Sequence, residues 1–595
     1  MPNLSSIDVQ NPKKTIQGCF KLIHYTVPAF QREYVWEDNE IEQLLTDIEA
    51  AFENDSKKEY FLGTTVVYGE QDNELQLIDG QQRMTTFFLI LCAIAKRYKE
   101  EKAIATAFET LINTPDLDAE GNNIDAYTLE LQYEDSTKCL SNIWEDKVPD
   151  ETDNLPQSSQ RLYGAYNIIS KRLKLDFEDF SEFKKFASYF INKIVFIQIR
   201  ATNMPDALKI FETINQRGVT LNPMDLLKNM LFMHVAVNKF ETLNKKWKSM
   251  VDKLEDENEK PLRFLRYYIT ATYDISDVKQ EGIINEDEIY DWLIRNNDKC
   301  HYSDDPIGFT DKMISGLNRY LLYLNPDDNV QGHDYLNNIK ALMGKSYRLH
   351  LVPLLSSENM NASLRARLFK TFELVIYYAV VNNIKSNAIE RIFSSWCQEI
   401  RKVTNDAEFK IFLDNKVIPT VNNWNTSYKQ NFMALSLNSI QKYKIKTILA
   451  RLCKYVDAYV ENDKDESDIQ EYLKTSNEIE HIMPKKCKNI SAYGIKDKEE
   501  YDFYNSQLGN LTLLEKTYNA TIKNDSYGFK TTVYKNSKFY LTKSLNGLIT
   551  VGKKTAYTNM NKKLKEWKNW DSTAIDERQT MLYELSKEIW DVSKL

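Results

Sequence analysis

Hydrophobic and polar positions divide the chain into three stretches. In residues 1–235, strand-like and helical patterns alternate. "KEYFLGTTVVYG" (58–69) and "ELQLIDG" (74–80) are rich in β-branched and aromatic residues and predict strands. "MTTFFLILCAIAKRYKEE" (84–101) has the length and apolar content of a buried helix. "NKIVFIQIRAT" (192–202) predicts a further strand, followed by a helix through "PDALKIFETINQRG" (205–218) that Gly218 would close as a C-cap. Polar stretches around 113–125 and 148–160 predict loops. From 236 to 445 the pattern is that of amphipathic helices, as in "LRARLFKTFELVIYYAVVNN" (364–383), without a fixed-period repeat. The acidic "ENDKDESDIQ" (461–470) predicts a linker or surface loop before the final region. The fold class is multidomain α+β.

Composition narrows the setting. At 595 residues the chain is too long for one core. An apolar content of 42% and a charged content of 27% are those of a soluble globular protein. The longest apolar run, "FFLILCAIA" from Phe87, is far too short to span a bilayer. "MPNLSSIDVQNPKK" at the N-terminus lacks the charged and apolar regions of a signal peptide. Seven scattered cysteines without a C-x-x-C pair indicate neither a disulfide framework nor a cysteine zinc site. A cytoplasmic protein with no membrane association is expected.

The net charge of −9 argues against a uniformly basic nucleic-acid binder. Its distribution says more. Residues 481–570 hold 17 Lys and Arg against 7 Asp and Glu, a local +10, so the remainder carries −19. A basic segment of this kind can engage phosphate backbones locally while the rest repels them. A solvated lysine-rich surface would have the same composition.

The first chemical constellation is "LQLIDGQQRMTT" (75–86): a strand, a sharp turn at Asp79-Gly80, then a long helix. Free N–H groups at the start of such a helix, through Gln81 and Gln82, can hold a phosphate with help from the helix dipole. Arg83 can reach the same anion with a bidentate fork. Asp79 could hold a metal or orient water. A tight turn whose arginine pairs with a carboxylate accounts for these residues equally well. The pattern is not a Walker loop, and the one Gly-Lys-Ser, Gly344–Ser346, has Ile339 where that motif needs its first glycine.

Two further stretches extend the picture. "YTVPAFQREYVWEDNEIEQLLTDI" begins at Tyr25 and "IFETINQRGVTLNPMDLLKN" at Ile210. With residues 79–83 this ordered triplet resembles the nucleotidase half of GmrSD-type, type IV restriction endonucleases. The matching positions are Gln31, Arg32, Tyr34 and Trp36, then Asp79, Gly80, Gln81, Gln82 and Arg83, then Asn215, Gly218 and Asp225. The resemblance implies a ParB/sulfiredoxin-like fold over residues 1–235 that binds and hydrolyses GTP or another nucleoside triphosphate. Gln31, Arg32, residues 79–83 and Asn215 would bind the nucleotide.

The last stretch contains "TSNEIEHIMPKK" (475–486), whose His481 is the only histidine after His350. Alone, it is as compatible with a satisfied, partly buried histidine as with a general base. "QLGNLTLLEKTYNATIKN" (507–524) adds a predicted short strand containing Asn510, and Asn519 at an expected helix start. A His-Me-finger nuclease needs a histidine to deprotonate water, an amide side chain to fix that histidine's orientation, and oxygen ligands for one divalent metal. The ordered histidine, Gly-Asn-Leu-Thr-Leu-Leu and asparagine resemble the C-terminal nuclease of the same GmrSD-type proteins, and more loosely HNH nucleases of CRISPR effectors. "FKTTVYKNSKFYLT" (529–542) and "KEWKNWDSTAIDERQTMLYELSKEIW" (565–590) continue the likeness.

The resemblance implies that His481 is the general base, that Asn510 holds the strand or the imidazole, and that Asn519 and Glu480 bind Mg²⁺ or Mn²⁺. Neighbouring strand residues face opposite ways, so Glu480 and His481 share a site only if the strand ends or bends there. His24, His234, His301, His333 and His350 show no ligand spacing and are expected to be structural. The implied organisation is a nucleotide-binding, DNA-sensing domain (1–235), a helical linker domain (236–445) and an HNH nuclease with a ββα-metal core (446–595). The implied function is restriction of modified phage or foreign double-stranded DNA, with a homodimer or larger assembly left open. A regulatory NTPase with an inert nuclease domain, and an RNA-directed nuclease toxin, stand as alternatives.

Overall fold

The computed structural model describes residues 7–8, 12–28, 31–69, 71–117, 123–132, 136–149, 154–202, 204–215, 223–278, 284–462, 468–487, 489–552 and 555–595. Two compact units emerge, Met1–Pro261 with Tyr290–Lys312 and Leu262–Ile289 with Met313–Leu595. The helical stretch expected at 236–445 is shared between them.

The strands of the first unit are β1 (Ile7–Asp8), β2 (Lys13–Thr15), β3 (His24–Val27), β4 (Tyr60–Tyr68), β5 (Glu74–Asp79), β6 (Asn113–Leu117), β7 (Asn123–Tyr127), β8 (Leu129–Leu131) and β9 (Ile194–Ala201). Seven of them form one sheet in the order β1-β9-β4-β5-β3-β8, with β2 also on β9. The sheet is mixed: β4 runs parallel to β9 and antiparallel to β5, and β3 is parallel to β5 and β8. β6 and β7 pair as a separate hairpin where polarity predicts a loop. Hydropathy does not register this pairing, because a backbone hydrogen-bond ladder leaves no mark on side-chain polarity.

The helix Gln81–Arg97 leaves β5 through Gly80 alone. Every residue from Met84 to Ala95 is buried, as a helix apolar on all sides requires. Phe87 packs against Phe190 of the helix Phe180–Lys193 and Phe196 of β9, so the helix lies in the middle of the unit. Gly80 has a φ of +88°, and a Cβ there would sit 2.6 Å from Thr65 Cγ2. Only glycine suits both constraints.

In the second unit β10 (Asn477–His481) and β11 (Leu511–Glu515) form an antiparallel hairpin, with His481 opposite Leu511. Short helices Lys516–Ile522 and Tyr527–Tyr534 follow it directly, and the helices Lys442–Glu461 and Ser572–Ile589 pack around it. The expected amphipathic helix at 364–383 forms as Ala362–Val381 but is buried throughout from Thr371 to Val381. Its Glu373 is neutralised there by Arg451, 2.9 Å away. The helix Lys442–Glu461 ends on Asn462 in the left-handed conformation, and Asp468 caps the next helix. The middle of the acidic linker lies outside the described residues, as does Gly218. Among the described residues no helix is long and apolar enough to cross a membrane.

Candidate active site

His481 ends β10 and is 6% exposed. Its Nδ1 is buried without a hydrogen-bond partner. Burial pushes the imidazole down to about 3, and the positive charges of Lys485, Lys530 and Lys442 act in the same direction. The ring is therefore neutral near pH 7, with a lone pair to offer. Imidazolium is penalised here by burial and by the nearby lysine charges.

Asn510 was expected within a strand and instead ends the 3-10 turn Leu508–Asn510, one residue before β11. It is fully buried. Its Oδ1 accepts from Met483 N at 2.7 Å and Trp570 Nε1 at 3.0 Å, while its Nδ2 donates to Met483 O at 3.3 Å and Asn505 O at 3.2 Å. Its backbone carbonyl accepts from Ile482 N at 2.9 Å. The side chain thus grips the main chain just after His481 rather than the ring, and these duties hold the residue out of the ladder. The C-terminal helix sets the turn. Arg578 Nη1 donates to Gly509 O at 2.8 Å and Leu511 O at 2.7 Å, and Gly509 N donates to Gln579. A Cβ on Gly509 would come within 2.4 Å of Ile575 O, so the helix approaches this closely only over glycine.

Asn519 lies inside the helix Lys516–Ile522, not at its start, and its Nδ2 donates to Glu478 Oε2 at 2.7 Å. Glu478 shares its face of β10 with Glu480, whereas His481 points to the other. Glu480, expected as a metal ligand, is held in a buried ion pair. Its Oε1 accepts from Lys530 Nζ at 2.6 Å and Tyr534 Oη at 2.9 Å, with side-chain exposures of 5% for Glu480 and 0% for Lys530. Burial pushes the carboxyl up and the ammonium down, and their mutual attraction opposes both shifts. A cation would have to displace Lys530 to use this carboxylate. Among the described residues no three His, Cys, Asp or Glu converge as a metal cage. Mg²⁺ keeps several waters and is satisfied by one or two protein oxygens. The Asn519 amide oxygen with the Glu478 carboxylate meets that minimum.

The second motif cluster surrounds Gly80. Gln82 accepts from Val35 N and donates to Glu33 O, both at 2.9 Å, and Tyr34 Oη lies 2.8 Å from Thr86 Oγ1. The "QREYVW" and "DGQQR" stretches are thereby laced together. Arg83 donates Nη1 to Leu62 O at 2.5 Å and Nη2 to Thr64 O at 2.6 Å. These carbonyls flank a slip in the β4–β9 register, where Gly63 has a φ of +102° and a Cβ would meet Arg83 Nη1 at 2.6 Å. Both ends of the guanidinium fork are thus committed to the bulge. Burial raises the Asp79 carboxyl, against the lowering effects of Arg83, the Gly80 N–H and Arg32. Gln81 and Gln31 are buried, and the Gln31 Nε2 is without a partner. Thr65 Oγ1, on the residue that adjoins Gly80, also lacks one. Gly80, as the N-cap, has no side chain with which to cap the helix. Asn215 closes the helix Met204–Asn215, and its side chain, like that of Asp225, lies outside what is described.

Sequence reasoning missed Lys530, Tyr534, Glu478 and Arg578. The signal for the first two was the four-residue spacing in "FKTTVY", which puts both on one helical face. Nothing in the local pattern marks Glu478 or Arg578.

Comparison with known families meets this geometry at both clusters. Residues 13–232 match the N-terminal domain of GmrSD restriction endonucleases, and residues 425–585 match their C-terminal domain. The first range holds the Gly80 turn and the second the His481 hairpin, so together they define a restriction endonuclease. The chain belongs to the GmrSD restriction endonuclease family. No curated protein matches it.

Proposed function

We propose that this restriction endonuclease hydrolyses phosphodiester bonds of modified double-stranded DNA at the β10–β11 hairpin, with Mg²⁺ or Mn²⁺, under control of GTP or another nucleoside triphosphate bound near Gly80. One observation carries the reading. A neutral imidazole with an unpartnered Nδ1 ends a strand among three lysines, its backbone fixed on the far side by Asn510. His481 accepts a proton from water as that water attacks phosphorus. Lys485, Lys442 and the wider basic segment draw the phosphate in. Asn510 keeps the histidine at a fixed height over the hairpin. Asn519 and Glu478 would hold a cation on the face of β10 opposite His481, where it would supply positive charge to the DNA backbone.

In the first unit, the uncapped helix start after Gly80 and the free Thr65 hydroxyl offer donors to a phosphate. Gln82 and Arg83 hold that turn in shape. A ParB/sulfiredoxin-like description of this unit and an HNH description of the hairpin accord with these roles. Incubating the full-length protein with modified and unmodified plasmid, with and without GTP or ATP, and with Mg²⁺ or a chelator, tests the reading. Metal-dependent nicking that favours modified DNA and responds to nucleotide is expected. Equal cutting of RNA, or no cutting with intact nucleotide hydrolysis, would sink it.

A further inference from the structure

We propose that Lys530 is a positioning residue for strand cleavage, holding the His481 peptide so that the imidazole faces its substrate. The inference rests on His481 being the general base.

Lys530 is fully buried on the helix Tyr527–Tyr534. Burying an ammonium is expensive, and a hydrophobic pair of the same volume usually serves stability as well or better. This ammonium does more than neutralise a carboxylate. Its Nζ donates to Glu480 Oε1 and to the His481 carbonyl, each at 2.6 Å. The two acceptors belong to consecutive residues, so one group fixes both the side chain before the histidine and the peptide that leaves it. Tyr534, one turn along the same helix, donates to the same Glu480 oxygen at 2.9 Å and keeps that anchor in place.

On the other side, the Asn510 carbonyl accepts from Ile482 N at 2.9 Å and its Oδ1 from Met483 N at 2.7 Å. The backbone from 481 to 483 is therefore gripped at successive groups by two partners from different elements. His481 lies between the grips and makes no hydrogen bond through Nδ1 that would orient the ring. Its direction is set by the main chain, and Lys530 is the cation that holds the carbonyl of the histidine itself. Reactions of this kind tolerate little misplacement, with an error of about 1 Å costing on the order of 100-fold in rate.

The test uses full-length protein and four variants: Lys530→Met, Glu480→Gln, the two combined, and His481→Ala. Thermal unfolding, DNA affinity and single-turnover nicking of plasmid are measured for each. Lys530→Met strands a buried carboxylate and is expected to unfold at lower temperature. The combined variant removes both charges and should recover most of that stability. Its DNA affinity should stay within about twofold of wild type while its nicking rate falls by about 100-fold. Glu480→Gln alone keeps the Lys530 bond to the His481 carbonyl and should nick at least about tenfold faster than the combined variant.

Wild-type nicking by the combined variant would reduce Lys530 to a charge partner and overturn the proposal. So would equal loss in Glu480→Gln and the combined variant. Undiminished cleavage by His481→Ala would overturn the underlying assignment of the base instead.

Discussion

Each unit holds a cation against main-chain carbonyl oxygen beside its motif. Arg83 holds Leu62 and Thr64 at the β4 bulge, and Lys530 holds His481 at the end of β10. They differ in what remains available. In the first unit Gln82 and Arg83 of "DGQQR" are consumed by architecture, while among the described residues Gln31 Nε2 and Thr65 Oγ1 have no partner. In the second, the Nδ1 of the histidine is left without such duty, because Asn510, Lys530 and Arg578 carry the load around it. Motif residues thus divide into those that build a site and those that are left to act. The partner list of each side chain tells them apart.

The largest effect expected from this contrast is at His481. Replacing it by alanine should cost about 10²–10⁴ in cleavage rate, the range of a lost general base. Plasmid nicking under single-turnover conditions reads it, and thermal stability should barely move.

Asn510 should behave in the opposite sense. Asn510→Ala strands the Met483 amide and the Trp570 indole N–H in a fully buried place, at about 1–3 kcal/mol for each unmet group. Urea unfolding should show that loss, with cleavage falling alongside it. Unchanged stability would mean that the clamp is not what fixes the hairpin.

Arg83 sharpens the comparison. With both ends of its fork on bulge carbonyls, Arg83→Met should destabilise the protein by about 2 kcal/mol, and any weakening of nucleotide binding should track that loss. Isothermal titration beside thermal unfolding separates the cases. A tenfold weaker nucleotide affinity at unchanged stability would make Arg83 a phosphate ligand rather than a clamp.

The smallest effect concerns acid. His350 is fully buried, has no partner on either ring nitrogen, and is pushed by burial down to about 3. The unfolded chain takes up a proton at this residue near the ordinary value of about 6.5, so between there and about 3 the unfolded state binds more protons. Stability is therefore complete above that window and is lost as pH falls through it. His481 contributes with the same sign. His350→Leu should shrink the stability difference between pH 7 and pH 5 by about 2 kcal/mol, measured by urea midpoints at both values.

Much of this was legible in the chain. β4, β5, β9 and the helix after Gly80 follow from β-branched runs and from an apolar stretch too continuous for a surface helix. Gly80 was legible as a turn because the chain passes there from a strand straight into a helix. The β6–β7 hairpin was not, since polar side chains carry no trace of a backbone ladder. Nor was the place of Asn510 just ahead of its strand, which depends on Trp570 and the helix Ser572–Ile589, some 60 residues away. The ion pair of Glu480 was hidden for a related reason. Its partner Lys530 stands 50 positions along the chain, and only tertiary packing brings the two together.

The central claim is that strand cleavage belongs to the His481 hairpin and nucleotide handling to the Gly80 turn. Nicking and phosphate release from nucleotide, followed in one reaction for wild type and His481→Ala on modified DNA, test it directly. Cleavage lost with phosphate release intact is the predicted result. Cleavage that persists in His481→Ala, or both activities vanishing together from a folded variant, would contradict it.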